Sequence, residues 1–277
     1  MLRGQGILSP GLSIVRAPTP MVPSLTAGTF GLSTGLVTGQ SGATANTKGG
    51  YVSLGALTLA VDLLRLGIFV SVSRPFLLDV EANGSIVVAD LPINFNANVA
   101  RLVLPLRVPA GDLRVRVSCG NATPVPFEAI ADAAVSTVPE TATVCFPLAP
   151  AGASAESTGI TPVTAPVMGS GPGSWVPIGA SASALKGIIP FIGRSATTSG
   201  RADERYLLEI GTGAPGAEVS IGTVSLFRSS AGMISNEGFR AIAQMFAAGT
   251  KFSLRVTTVG SAASGVRTMN GQIHGIW

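Results

Sequence analysis

Apolar residues along this chain come in short runs of strand length, punctuated by Gly, Pro, Asn and Asp. The runs fall at 51–59, 66–72, 76–80, 85–89, 100–108, 113–118 and 141–146. The clearest sets Leu113, Val115 and Val117 against Arg114, Arg116 and Ser118, the alternation of a half-buried antiparallel strand. Asn83-Gly84 lies between two runs, and that dipeptide supplies the two positive φ angles of a tight hairpin. Residues 206–227 place two strand-like runs around a glycine-rich centre. Gly211, Gly213 and Gly216 there fit G-x-G-x-x-G, but a dinucleotide loop must open a helix. Glu218 to Val224 instead alternate with period two and Pro215 marks a turn, so the stretch predicts a hairpin. One segment, 236–248, has a helical pattern: an Asn cap, Glu237 in the first turn, Phe239, Ile242 and Phe246 on one face, and Gly249 as a stop.

The second half repeats the first in order. Tyr51-Val-Ser-Leu-Gly matches Trp175-Val-Pro-Ile-Gly, and Phe76-Leu-Leu-Asp-Val matches Tyr206-Leu-Leu-Glu-Ile. Pro109-Ala-Gly matches Ala247-Ala-Gly, and both lead into strands ending Arg-Val, at Arg116-Val117 and Arg255-Val256. The repeat conflicts with a helix at 236–248, because its counterpart at 101–109 is a strand pattern broken by proline; a strand or irregular loop is the reading the repeat favours. The pattern therefore predicts an all-β chain: two tandem, related antiparallel β-sandwich domains, jelly-roll-like, at 47–148 and 174–277. Residues 1–46, with four prolines and single apolar residues, read as an extended N-terminal arm, and 149–173, rich in Gly, Pro, Ala and Ser, as a linker.

Composition changes the picture in one respect. Charged residues make up 12% of the 277 positions against a usual share of about 25%, so much of the surface is small and neutral or is buried against other subunits. The net charge of +4 is spread over single Arg and Lys residues with few aromatics for base stacking, which argues against nucleic acid. The one long apolar stretch, 51–72, is interrupted by Asp62 and Arg65 and fits core strands better than a membrane span. The N-terminus lacks the apolar core of a secretory signal, so the chain reads as made in a cytoplasm and not exported.

Candidate chemistry is sparse. The single histidine, His274, has no second His or nearby Cys to make a zinc site, and Cys119 and Cys145 allow one intrachain bridge or two buried thiols. Gly31-Leu-Ser33-Thr-Gly35 fits G-x-S-x-G but lacks the strand before and helix after. Asp79 and Glu81 share a strand face, as a cation or acid/base pair would, yet only Asp79 has an acidic counterpart, Glu209. A repeated acid at one strand position predicts capping of backbone amides or pairing with a strand arginine such as Arg116 or Arg255. Asn121-Ala-Thr123 is an accidental sequon without a signal peptide, and Asp203-Glu204-Arg205 reads as a solvated charge cluster. No catalytic, metal or cofactor site is expected.

Trp175-Val-Pro-Ile-Gly179, Tyr206-Leu-Leu-Glu-Ile-Gly211, Gly216-Ala-Glu218 and Ala248-Gly249 with Leu254-Arg255-Val256 resemble a pattern in structural proteins of tailed bacteriophages. The likeness covers 175–256 well and 51–117 loosely; Glu81-Ala-Asn-Gly84 replaces the glycine-rich turn in the first block, and Ala247 stands where proline is expected. The resemblance implies a virion component, with a capsid decoration or head-mounted protein ranked ahead of collar, tail or baseplate. Its partners would be other capsid or tail subunits and copies of itself, with Leu8, Leu12, Ile14, Val15 and Val22 of the arm as anchoring teeth. The rival reading is a carbohydrate-binding adhesin with a host-surface glycan as partner, using Trp175 or Trp277.

Overall fold

The structure, a computed structural model, describes residues 28–70, 76–93, 99–120, 123–135, 144–148, 161–194, 204–228, 234–236, 242, 244–261 and 266–277. The first half holds β1 (Val37–Gln40), β2 (Val52–Leu57), β3 (Leu63–Val70), β4 (Phe76–Ala82), β5 (Ser85–Ile93), β6 (Val99–Leu104), β7 (Gly111–Cys119) and β8 (Pro126–Ala134). A short β9 (Cys145–Pro147) follows. The second half holds β10 (Thr161–Ala165), β11 (Val176–Ala180), β12 (Gly187–Arg194), β13 (Glu204–Thr212), β14 (Val219–Arg228), β15 (Ile234–Asn236), β16 (Lys251–Ser261) and β17 (Arg267–Ile276). The only helical element among the described residues is a three-residue 3-10 turn, Thr29–Gly31.

The strand orders define the fold. In the first half one sheet runs β1-β8-β3-β6 and the facing one β2-β7-β4-β5. Eight strands paired first with last and second with seventh make a jelly roll. The second half repeats it, with β10-β17-β12 as one sheet and β11-β16-β13-β14, extended by β15, as the other. The agreement reaches single bonds. Irregular register falls at Ser53/Gly55 and again at Pro177/Gly179, and at Val80/Glu81 and again at Ile210/Gly211. Gly49 N donates to Val117 O (3.0 Å) as Gly173 N does to Val256 O (2.9 Å).

The repeat also settles 236–248. Ile188 bridges Ile242 and Leu185 bridges Phe246, the counterparts of Leu64 with Leu104 and Val61 with Val108. Gln244 N donates to Ile242 O (3.1 Å), as Leu106 N does to Leu104 O (2.9 Å). The helical reading is overturned at these positions: the four-residue spacing of Ile242 and Phe246 serves two β-bridges, with their side chains turned to the second core.

Two boundaries shift. β1 lies inside the stretch read as an arm, and β10 inside the stretch read as a linker; each is the first strand of its roll, paired to β8 or β17. Both are short, and their inward positions are small. Gly39 is glycine because a Cβ there would lie 2.5 Å from the Phe127 ring. The remainder of the arm, including Leu8 to Val22, and residues 149–160 lie outside the described residues.

Two apolar clusters fill the rolls. The first takes Leu64, Leu66 and Ile68 from one sheet and Phe76, Leu78, Val80, Val115 and Val117 from the other. The second takes Ile188, Met269 and Ile273 against Tyr206, Leu208, Ile210, Leu254 and Val256. The first cluster also contains Ile189, Phe191 and Ile276, which belong to strands of the second roll. The rolls are therefore packed together, and their backbones are joined too: β9 pairs with β17 and makes one parallel bridge with β5, so a single sheet runs β10-β17-β9-β5-β4-β7-β2 through both.

Both expected hairpins are present. Asn83 (φ 49°) and Gly84 (φ 81°) turn β4 into β5, and Gly213 (φ 130°) and Gly216 (φ 83°) turn β13 into β14. Glycine at 84 answers only the backbone angle, because nothing lies within 4 Å of a Cβ placed there. Gly55 (φ 113°) is held twice, since its Cβ would meet Gly31 O at 2.7 Å and Leu32 Cα at 2.9 Å. Gly84→Ala is expected to lower unfolding stability by about 1 kcal/mol and Gly55→Ala by about 3 kcal/mol; urea denaturation of the two variants checks the order.

Candidate functional site

The outward faces of β4/β7 and β13/β16 carry the same construction. Asp79 lies directly opposite Arg116, and Glu209 directly opposite Arg255. Arg116 Nε donates to Asp79 Oδ2 at 2.8 Å and Arg255 Nε to Glu209 Oε2 at 2.6 Å. Each guanidinium also lies over the aromatic ring that precedes the second strand of its roll: Arg116 is 4.4 Å from the Tyr51 centroid and Arg255 is 4.3 Å from Trp175. Aromatic, arginine and acid thus form one stack across three adjacent strands, with cation–π attraction on one side and a charge-assisted hydrogen bond on the other. The predicted acid–arginine pairing holds in both rolls.

The surroundings of the stacks have diverged in a compensating way. In the first roll Glu81 pairs with Arg114, which also lies 3.5 Å from Asp112 Oδ2. In the second roll those places are taken by Gly211 and Ser253, and a Cβ on Gly211 would lie 2.8 Å from the Trp175 ring. The indole fills the space that an ion pair occupies beside the smaller Tyr51. Asp79 and Glu81, considered above as a cation or acid/base pair, each face their own arginine. Among the described residues no group of three His, Cys, Asp or Glu could hold a metal ion.

Lys48 makes the first stack the tighter one. Its Nζ lies 2.7 Å from Asp79 Oδ2 and 2.8 Å from Asp90 Oδ1. Burial works against its charge, but the bonds to Asp79 and Asp90 outweigh that and hold its pKa above the ordinary lysine value. Asp90 reaches Lys48 because β5 carries an irregularity there: Leu78 pairs with Leu91 but Val80 with Val88, and Asp90 has φ 50°. The Asp90 amide donates to Asp79 Oδ1 at 2.9 Å. The second roll has Pro172 at the place of Lys48, and β14 pairs without that extra irregularity. Asp79 is 1% exposed and Glu209 20%. Arg255, followed by the Ser220 hydroxyl, holds the Glu209 carboxyl below its usual range against a weaker opposing effect of burial.

The remaining candidates are engaged elsewhere. Cys119 and Cys145 are both buried, and burial pushes the Cys145 thiol up to about 12. Ser33 makes a local turn, its hydroxyl donating to Gly35 O at 3.1 Å. Glu204 corrects the reading of a solvated cluster: it is 1% exposed and accepts the Tyr206 hydroxyl, because Tyr206 and Glu204 point into the roll from the same face of β13. Asn121 and Asp203 lie outside the described residues. Trp277 packs beside Phe146 and donates to Ser183 Oγ at 2.7 Å. Arg255 covers one face of the Trp175 ring.

Sequence reasoning missed what His274 does. It is fully buried on β17, with Nε2 3.1 Å from Ala89 O of β5 and its ring 5.2 Å from Phe191 in an edge-on contact. It therefore stands between the two rolls. Burial lowers its pKa to about 4 despite the opposing pull of the Ala89 and Asp90 backbone. The signal was present only as parity: Gln272, His274 and Ile276 share one face of β17, and Met269 and Ile273 the other.

The fold and this site define an all-β chain of two jelly rolls, stiffened by arginine-centred stacks and welded at one histidine-bearing junction. No family model matches the chain, and no curated protein matches it.

Removing the acid is expected to cost unequally in the two stacks. Asp79→Asn leaves Lys48 and Arg116 without their buried partner and should lower stability by about 3 kcal/mol, whereas Glu209→Gln should cost about 1 kcal/mol or less. The contribution of Glu209 is present above the ordinary glutamate pKa and fades as pH falls through its lowered value. The stability difference between wild type and Arg255→Met, measured by denaturant titration at several pH values, should therefore shrink on acidification.

Proposed function

We propose that this chain is a structural protein of a virus particle, a shell-building subunit that works through repeated contacts and not through catalysis. Jelly rolls serve in viral capsids, lectins and cupins, so the fold alone does not choose. The observation that carries the reading is the joining of two like rolls through one continuous sheet and a shared apolar cluster. A flexible tether would suit radial display of separate modules; a welded pair suits a tile whose two halves must keep a fixed geometry. Related rolls offer related edges, and a threefold ring of such chains presents six similar units with nearly sixfold outline, which closes without leaving a free edge.

Other features support the same role. Charge is scarce, and Lys48, Arg116 and Arg255 are spent with Asp79 and Glu209 on intrachain stacks. Exposed Leu207 (36%), Val219 (66%) and Val259 (47%) leave apolar surface on the second roll for neighbours. The partners proposed are further copies of this chain and other virion subunits, and its place is the particle; no cofactor, nucleic acid or membrane enters the role. Phage origin rests on the sequence resemblance over 175–256, and the shell role does not require a tail.

Purified full-length chain is expected to run in sedimentation analysis as a closed oligomer, near three times the 27.8 kDa of the monomer, and to be a high-copy component of purified particles. A chain that stays monomeric at high concentration and is missing from particles would end the proposal.

A further inference from the structure

We propose that His274 is an acid-sensitive latch between the two jelly rolls, closed while its imidazole is neutral and released by protonation while each roll keeps its own fold. The proposal concerns the chain itself and holds or fails independently of the shell role.

Its geometry sets it apart from an ordinary core histidine. The imidazole belongs to β17 of the second roll, but its Nε2 hydrogen bond goes to Ala89 of the first. That carbonyl is presented by the β5 irregularity that has no counterpart in β14. With Nε2 as the donor, Nδ1 is the acceptor, and it is buried without a protein partner, as is Oε1 of Gln272 on the same strand face. A proton added at Nδ1 would place a full charge in a site closed to solvent.

Among the described residues no uncommitted carboxylate stands on the strands packed against it to receive that charge. From β5 the only ionisable group beside the contact is Asp90, whose carboxylate is held by Lys48, itself shared with Asp79; Arg116 completes that cluster. β9 brings Cys145, a neutral thiol, and Pro147 opposite His274. β12 brings Ile189 and Phe191, and β17 itself Gln272 and Ile276. Moving the junction apart lets water reach the imidazolium, and among the described residues what must separate is limited: the packing of Ile189, Phe191 and Ile276 on the first cluster, the Ala89 bond and the single β9–β5 bridge.

The sign follows from the depressed pKa. The unfolded or opened junction titrates near the ordinary 6.5 and the closed one near 4. The latch is therefore at full strength above the upper value and weakens as pH falls towards the lower. At pH 4.5 the closed-to-open ratio should have dropped by up to about 100-fold.

The chain has one histidine, so its ring resonances report this site alone. In the full-length protein they should titrate with a midpoint near 4, and a midpoint at or above 6.5 overturns the latch. Hydrogen exchange provides the second readout. The Cys145 amide, at the one bridge between β9 and β5, should lose protection between pH 7 and 4.5, after correction for intrinsic rates, while that of Lys186, bonded to Ile276 O within the second roll, and the β4–β5 and β13–β14 hairpins keep theirs. His274→Gln retains a donor for Ala89 without a titrating group and should remove that pH dependence; an unchanged acid loss in this variant refutes the proposal. If His274→Gln does not fold, the wild-type midpoint decides alone.

Discussion

β17 must satisfy two cores at once, and the organisation of the chain depends on it. One face of the strand gives Met269 and Ile273 to the second roll, and the other gives Gln272, His274 and Ile276 to the junction. Residues 271–276 are all buried, so neither face has room for the polar residues that mark an ordinary sheet surface. Its edges are committed as well. β12 takes one, while β10 and β9 divide the other between residues 267–271 and 274–276. A strand used on both faces and both edges fixes the second roll against the first, because no rotation between them keeps all four contacts. Burial of Ile189, Phe191 and Ile276 adds about 1.5–3 kcal/mol each before ordering costs, enough to hold a junction.

The two rolls show how one architecture tolerates different chemistry on the same frame. Their inward positions remain mainly apolar, and the acid–arginine–aromatic stack is kept, because its members are direct cross-strand neighbours and must change together. Around it the substitutions are coupled by volume. Tyr51 with Glu81 and Arg114 is exchanged for Trp175 with Gly211 and Ser253, so the larger ring and the vanished side chains balance. Lys48 and Pro172 stand at equivalent bridges, and only the first carries charge to the buried acid. The acid of the first stack is thereby closed to solvent, and that of the second stays partly open.

Much of this was legible in the sequence, for physical reasons that also explain the misses. Asn83-Gly84 and the glycines at 213 and 216 were readable because positive φ narrows the choice of residue at a turn. Asp79 and Glu209 were readable because a charged side chain on a strand face demands a partner at a fixed place. β1, β10 and β8 were not. The inward residues of β8 beyond Phe127 are Ala129, Ala131 and Ala133, small enough to hide the alternation, and Asp132, fully buried, breaks it further by pairing with Arg65 and accepting from Thr29 at 2.7 Å. Ile242 and Phe246 satisfied helical spacing equally well, and only comparison with Leu104 and Val108 decided between the two. The junction was invisible because no local rule tells a histidine which roll it will face.

The irregularity at Ala89 and Asp90 connects these threads. An extra residue in one strand of an antiparallel pair turns neighbouring groups in opposite senses, and here it turns the Ala89 carbonyl to His274 and the Asp90 carboxylate to Lys48. The most buried stack and the junction thus share one backbone feature, which the second roll lacks along with both of its consequences. Duplication supplies two like rolls, but joining them requires that one depart from the repeat where it meets the other. The departure lies in β5, the strand that would otherwise be a bare sheet edge, where β9 and β17 now continue the sheet.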